Sequence, residues 1–163
     1  MSSIVATPSL SFQEAMSEFV KKIFQFNGRS RRSEYWWVQL VVIMLTLALS
    51  PVADFSYLLM LITLPLEWRR LHDIGRSGWW EGVFLILFAI MLATMGWDQF
   101  VYGDELEKLD NADESTLLGL VGKYLLWLVV IVVYSIILLV FSLLDSQPNA
   151  NEYGESPKYK TIE

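Results

Sequence analysis

The chain has no cysteine and only one histidine, His72, in 163 residues. The first absence excludes disulfides and thiolate metal centres. The second leaves too few imidazoles for the usual histidine-rich metal sites. Charge is scarce too: 18% of residues are charged and 54% are apolar, against about 25% and 45–50% in soluble domains. No glycine-rich loop has nucleotide-binding spacing. A Ser-His-Asp relay is poorly served, because adjacent His72 and Asp73 cannot readily orient one another. The expectation is a protein that is not an enzyme and needs no cofactor.

Also missing at the start is a basic stretch followed by an apolar core, so a cleaved signal peptide is not expected. Residues 1–10 read as a disordered lead. Net charge is −6, which argues against a nucleic-acid partner, but the sum hides a separation of signs. Acid collects between Asp98 and Thr116, where seven carboxylates face a single Lys108. Base collects in two other segments.

What is present is hydrophobic length. Ser11 and Glu14 have capping-box spacing. Phe12, Met16, Phe19, Ile23 and Phe26 then recur every three or four residues, which predicts an amphipathic helix over 11–26 lying in the headgroup region of a membrane. An ordinary helix packed on protein is the competing reading. Charge-free or nearly charge-free runs follow at about 35–53, 79–97 and 120–144, each long enough to cross a bilayer. Ser50-Pro51 and Asp54 mark a turn. The run after it, Phe55–Leu66, is short. It reaches across, as 55–71, only if Glu67 to Arg70 continue the helix with the arginines snorkelling to the headgroups; a re-entrant segment is the alternative. The tail, 145–163, is polar, and Pro148, Gly154 and Pro157 are expected to break any regular element.

The positive-inside bias sets the orientation. Four spans put Lys21, Lys22, Arg29, Arg31, Arg32, Arg69, Arg70, Arg76, Lys158 and Lys160 on the cytoplasmic side and leave Lys108 and Lys123 outside. The predicted fold class is therefore all-α: a single membrane domain over 11–144, a four-helix transmembrane bundle with an interfacial helix. Both termini are cytoplasmic.

Two basic segments run into apolar ones: Asn27-Gly-Arg-Ser-Arg-Arg-Ser-Glu-Tyr-Trp-Trp37 and Arg69-Arg-Leu-His-Asp-Ile-Gly-Arg-Ser-Gly-Trp-Trp80. With Asn151-Glu-Tyr-Gly-Glu-Ser-Pro157 in the tail, they make the chain resemble the domain-of-unknown-function family 805, small bacterial inner-membrane proteins. That resemblance implies location and architecture but no chemistry. The acidic insert between the third and fourth spans departs from the family, being longer than its usual connection.

As chemistry, the basic segments suggest a lipid or phosphate site. Arginines grip phosphate bidentately and helix starts attract anions. The candidates are Arg29, Arg31, Arg32, Ser33, Arg69, Arg70, Arg76 and Ser77, with Gly28, Gly75 and Gly78 letting backbone turn closely around a ligand. Tyr35, Trp36, Trp37, Trp79 and Trp80 are expected interfacial anchors. Glu34, Glu67, His72 and Asp73 are expected ion-pair partners of the arginines rather than metal ligands. The expected partners are membrane phospholipid, with a homo-oligomer or a membrane-protein partner possible. The expected function is organisation of lipid or protein at the cytoplasmic face in support of envelope integrity. A small homo-oligomeric channel or transporter is the alternative.

Overall fold

The computed structural model describes residues 3–49, 55–107 and 114–162. It is mostly helical, as the sequence predicts. In order come β1 (Ser3–Ala6), α1 (Phe12–Lys21), α2 (Arg32–Ala48), α3 (Phe55–Asp73), α4 (Trp79–Glu107), α5 (Glu114–Leu143) and β2 (Tyr159–Ile162). They form two compact units, Met1–Glu81 with Leu139–Glu163 and, separately, Gly82–Leu138. The expected turn at Ser50-Pro51 and Asp54 lies outside the described residues.

In the first unit, α1 opens with the anticipated box. Ser11 N–H donates to Glu14 Oε2 at 2.8 Å, and Glu14 N–H donates back to Ser11 Oγ at 3.4 Å. Ala15 is fully buried, which lets α1 pack on α2. Met16 and Phe19 pack against a core of Tyr35, Val38 and Leu66, and Phe12 meets the Trp37 ring edge-on at 5.7 Å. Part of the apolar stripe of α1 therefore rests on protein, while Val20 and Phe24 are exposed. The helix ends at Lys21, short of the expected 26.

α3 does continue through Pro65 to Asp73, 19 residues or about 28 Å. Its arginines do not snorkel outward, however. Arg69 and Arg70 are each 1% exposed, because the carbonyls at other helices' ends and two carboxylates draw them inward.

The ends of the chain correct two further expectations. The lead is not disordered and the tail is not without regular structure: β1 and β2 pair antiparallel, Ser3 opposite Ile162 and Ala6 opposite Tyr159. Thr7 extends the pairing, its N–H and its Oγ1 both donating to the Lys158 carbonyl at 2.8 Å. The described residues are thus helical apart from this ribbon and the connecting loops. Neither four-residue strand is legible alone, since a short strand needs a partner to satisfy its backbone.

The second unit is a helical hairpin. Phe84 stacks with Tyr134 at 6.1 Å. Towards the other end of the pair, Lys123 Nζ donates to Asp98 Oδ1 at 2.6 Å and Tyr124 OH to Oδ2 at 3.0 Å. The acidic stretch from Asp98 reads in the sequence as an insert between the third and fourth spans, but α4 runs on to Glu107 and α5 begins at Glu114. The pairing of Asp98 with α5 supports that prolongation. Among the described residues, Trp79–Gly103 and Glu114–Leu143 are long and apolar enough to cross a membrane, and only 6% of each one's most apolar window is buried. Helices that apolar and that exposed suit lipid as solvent rather than a soluble core.

Candidate functional site

Arg29, in the loop before α2, is 6% exposed and spends its donors inside the protein. Nε donates to Asp73 Oδ1 at 3.0 Å, Nη1 to the carbonyls of Asn149 (2.9 Å) and Gly154 (3.2 Å), and Nη2 to those of Gln147 (2.7 Å) and Asp73 (3.2 Å). An arginine has five N–H donors, and all five are used. The tail is folded around this one side chain.

Asp73, fully buried, also accepts from Arg70 Nη1 at 2.8 Å and from the Ser146 hydroxyl. The rest of the Arg70 guanidinium caps α5: Nε and Nη2 reach the Ser142 carbonyl at 3.2 and 3.1 Å, and Nη2 also reaches that of Leu144. The last carbonyls of a helix have no partner within it, and a cation there also meets the negative end of the helix dipole. Arg69 does the same for the end of α1. Its Nη1 donates to the carbonyls of Lys22 and Gln25, and its Nη2 to Glu34 Oε1 at 3.3 Å.

Two of the four expected ion-pair partners, Glu34 and Asp73, thus meet arginines. The other two need correction. Glu67 accepts from Gln39 Nε2 on α2 instead. His72 stacks flat on Tyr153, centroids 3.7 Å apart, with Nδ1 3.1 Å from the Gly28 carbonyl. Burial pulls the imidazole below its ordinary value, against the opposing influence of that carbonyl and of Glu152; a neutral ring is what a stacked, enclosed site prefers.

The glycines also serve the chain's own groups. A Cβ on Gly78 would lie 2.0 Å from the Trp68 indole, and one on Gly75, whose φ is +71°, would meet the Gln147 side chain at 2.4 Å. Both close approaches are to protein. Arg76 differs from its counterpart Arg29: it is exposed, with its guanidinium 5.6 Å over the Phe141 ring. Ser77 is exposed beside it and accepts from the Trp79 N–H at 3.3 Å.

Of the aromatic residues expected as anchors, Tyr35 is 8% exposed and belongs to the core. Trp36 packs against that core, and Trp80 meets Phe141 edge-on. Trp79 is 64% exposed. Trp37, partly exposed, donates Nε1–H to the Leu10 carbonyl at 3.1 Å, which fixes its ring on the outer side of α2.

That outer side carries an opening. Ser33, Trp36, Trp37, Leu40 and Ile43 recur at helical spacing along one face of α2 and line a groove of about 490 Å³, with Arg32 at its end. Arg32 is exposed, and its Nη1 donates to the Leu143 carbonyl at 3.3 Å. Arg32 and Ser33 also line a second, polar cavity of about 170 Å³ with Thr7, Ser9, Arg31, Asp145 and Lys158. There Arg31 Nη1 donates to Thr7 Oγ1 at 3.1 Å. Lys158 pairs with Asp145, holding that carboxyl below its usual range.

The eight candidate residues therefore divide. Arg29, Arg69 and Arg70 are structural clasps, Arg76 and Ser77 stand apart on the surface, and Arg31, Arg32 and Ser33 meet at the polar cavity, the last two lining the groove as well. Sequence reasoning missed Thr7, Ser9 and Asp145, and missed the tail carbonyls that hold Arg29. Backbone carbonyls carry no side-chain signal.

The fold defines a helical membrane protein with an arginine-clasped end. The family model for "protein of unknown function (DUF805)" matches residues 48–155, and the chain belongs to that family. Among curated relatives it is 34% identical over 85 residues to inner membrane protein YhaH of Escherichia coli K12, covering 42% of this chain and 70% of the relative. It is 41% identical over 81 residues to inner membrane protein YhaI of the same organism, covering 42% and 69%. No solved structure matches it.

Proposed function

We propose that this is a four-span inner-membrane protein, both termini cytoplasmic, that is not an enzyme and holds anionic phospholipid at its cytoplasmic face in support of the envelope. The observation that carries the reading is the groove along α2. It is apolar over several turns and ends at an exposed arginine beside two tryptophans. An acyl chain fits the apolar length, and an anionic headgroup fits the cation at the end. Tryptophan at that level is the usual companion of the lipid headgroup.

The same placement makes sense of the rest of the first unit. The exposed Val20 and Phe24 of the α1 segment point to a helix at the interface, apolar side down. The positive-inside bias supports the orientation, and α2 and α3 supply the second pair of spans.

Two experiments test the reading. A carboxy-terminal green fluorescent fusion is expected to fluoresce and an alkaline phosphatase fusion to be inactive; the reverse would overturn the orientation. Native mass spectrometry of the purified chain is expected to show a lipid-mass adduct that Leu40→Asn weakens. A lipid-free protein retained on a membrane-protein partner would replace lipid with an adaptor role.

A further inference from the structure

The polar cavity across Arg32 from the groove is built from three separated parts of the chain. Thr7 and Ser9 come from the lead, Arg31, Arg32 and Ser33 from the start of α2, and Asp145 and Lys158 from the tail. Both Thr7 bonds to the Lys158 carbonyl hold the first and third parts together. The cavity therefore exists only when the ribbon of β1 and β2 is closed. Because it shares Arg32 and Ser33 with the apolar groove, one amphiphile can occupy both.

Resting on the lipid reading above, we propose that this ribbon-built cavity selects the headgroup: a phosphodiester bearing hydroxyls and no ammonium, of the phosphoglycerol kind.

Charge decides the first half of that selection. Arg31, Arg32 and Lys158 face a single carboxylate, Asp145, so the lining has a surplus of positive charge suited to one phosphate. Arginine offers paired donors that match phosphate oxygens. The start of α2 adds the positive end of a 17-residue helix in the same direction.

The state of Asp145 decides the second half. An ammonium headgroup would need that carboxylate, but it is already engaged by Lys158, by the Ser146 N–H at 2.9 Å and by the Tyr159 hydroxyl at 3.3 Å. Displacing Lys158 would add a further cation to a lining already in surplus. Hydroxyls meet no such obstacle. Ser9 and Ser33 can each donate and accept, and Ser33 Oγ keeps its proton to give while accepting from the Leu10 N–H at 3.2 Å. The volume, about 170 Å³, is five or six times the roughly 30 Å³ share of a liquid water, room for a phosphate and a short polyol.

The test is a competition. Purified full-length protein is incubated with an equimolar mixture of dioleoyl phosphatidylglycerol and dioleoyl phosphatidylethanolamine, and the retained lipids are weighed by native mass spectrometry. Wild type is expected to favour phosphatidylglycerol by about tenfold, and Lys158→Gln to reduce that preference about fivefold, the usual worth of one cation near an anionic headgroup. Lys158→Arg should restore it, and matched thermal unfolding of the three proteins excludes a folding defect. Equal retention of both lipids by wild type overturns headgroup selection and leaves the lipid reading standing. A preference unchanged in Lys158→Gln removes it from this cavity. Retention of neither lipid overturns the lipid reading itself.

Discussion

Arg29 and Asp73 stand 44 residues apart in the chain and 3.0 Å apart in the fold, both almost wholly out of solvent. Asp73 simultaneously takes Arg70, so one carboxylate balances two buried guanidiniums. Asp73→Asn keeps the shape and removes the charge. Breaking a buried ion pair from one side costs roughly 3–5 kcal/mol, and the tail loses the partner of the arginine it wraps. The expected result is a lower midpoint of thermal unfolding in detergent and rapid proteolysis between Ser146 and Lys158. A tail as resistant as in the wild type would show that the backbone bonds alone hold it.

His72 makes the same clasp sensitive to acid. Its pKa is held below the ordinary 6.5, chiefly by burial, so the unfolded chain binds a proton more readily than the folded one. Stability is unaffected above about pH 6.5 and falls as pH drops from there through the lower folded value. Comparing unfolding midpoints at pH 7.5 and pH 5.5 checks this, and His72→Gln should flatten the difference.

Gly78→Ala tests whether that glycine serves a ligand or the protein. An added Cβ would lie 2.0–2.2 Å from three atoms of the Trp68 indole, and Trp68 also meets Phe26 and Trp79 edge-on. Overpacking of this kind typically costs about 1–3 kcal/mol. A double substitution with Trp68→Leu is expected to recover part of the loss, as read by the unfolding midpoint. Failure to recover would mean that the small residue is needed for something other than indole packing.

In the second unit, Lys123→Met leaves Asp98, 2% exposed, with the Tyr124 hydroxyl but no cation. An ionised acceptor deprived of its cation is expected to destabilise the hairpin. Adding Asp98→Asn removes the stranded charge, so the double variant should be more stable than Lys123→Met alone. A thermal-unfolding cycle over the four proteins gives the coupling between the two positions directly.

Much of the helical content was legible because it depends on local pattern. Thirty residues of α5 are apolar nearly all round, and no arrangement of the rest of the chain changes what solvent they require. The capping box at Ser11 and Glu14 is likewise local chemistry, closed within one turn. The basic segments were legible as segments. Their roles were not, since Arg29 and Arg76 share the same Gly-Arg-Ser setting, yet one is enclosed by five acceptors and the other lies open over Phe141.

The sequence by itself determined where hydrophobic length lies, which face of α1 is apolar, and that positive charge gathers at particular span ends. These follow from residue type and spacing, which act over a few residues at a time. Only the tertiary structure decided which arginines are consumed as helix caps and ion pairs and which remain for a ligand. That depends on carbonyls brought in from α1, α5 and the tail, and on Thr7 meeting Lys158 across 151 positions. A guanidinium goes where unsatisfied acceptors are, and their positions exist only once the chain has folded.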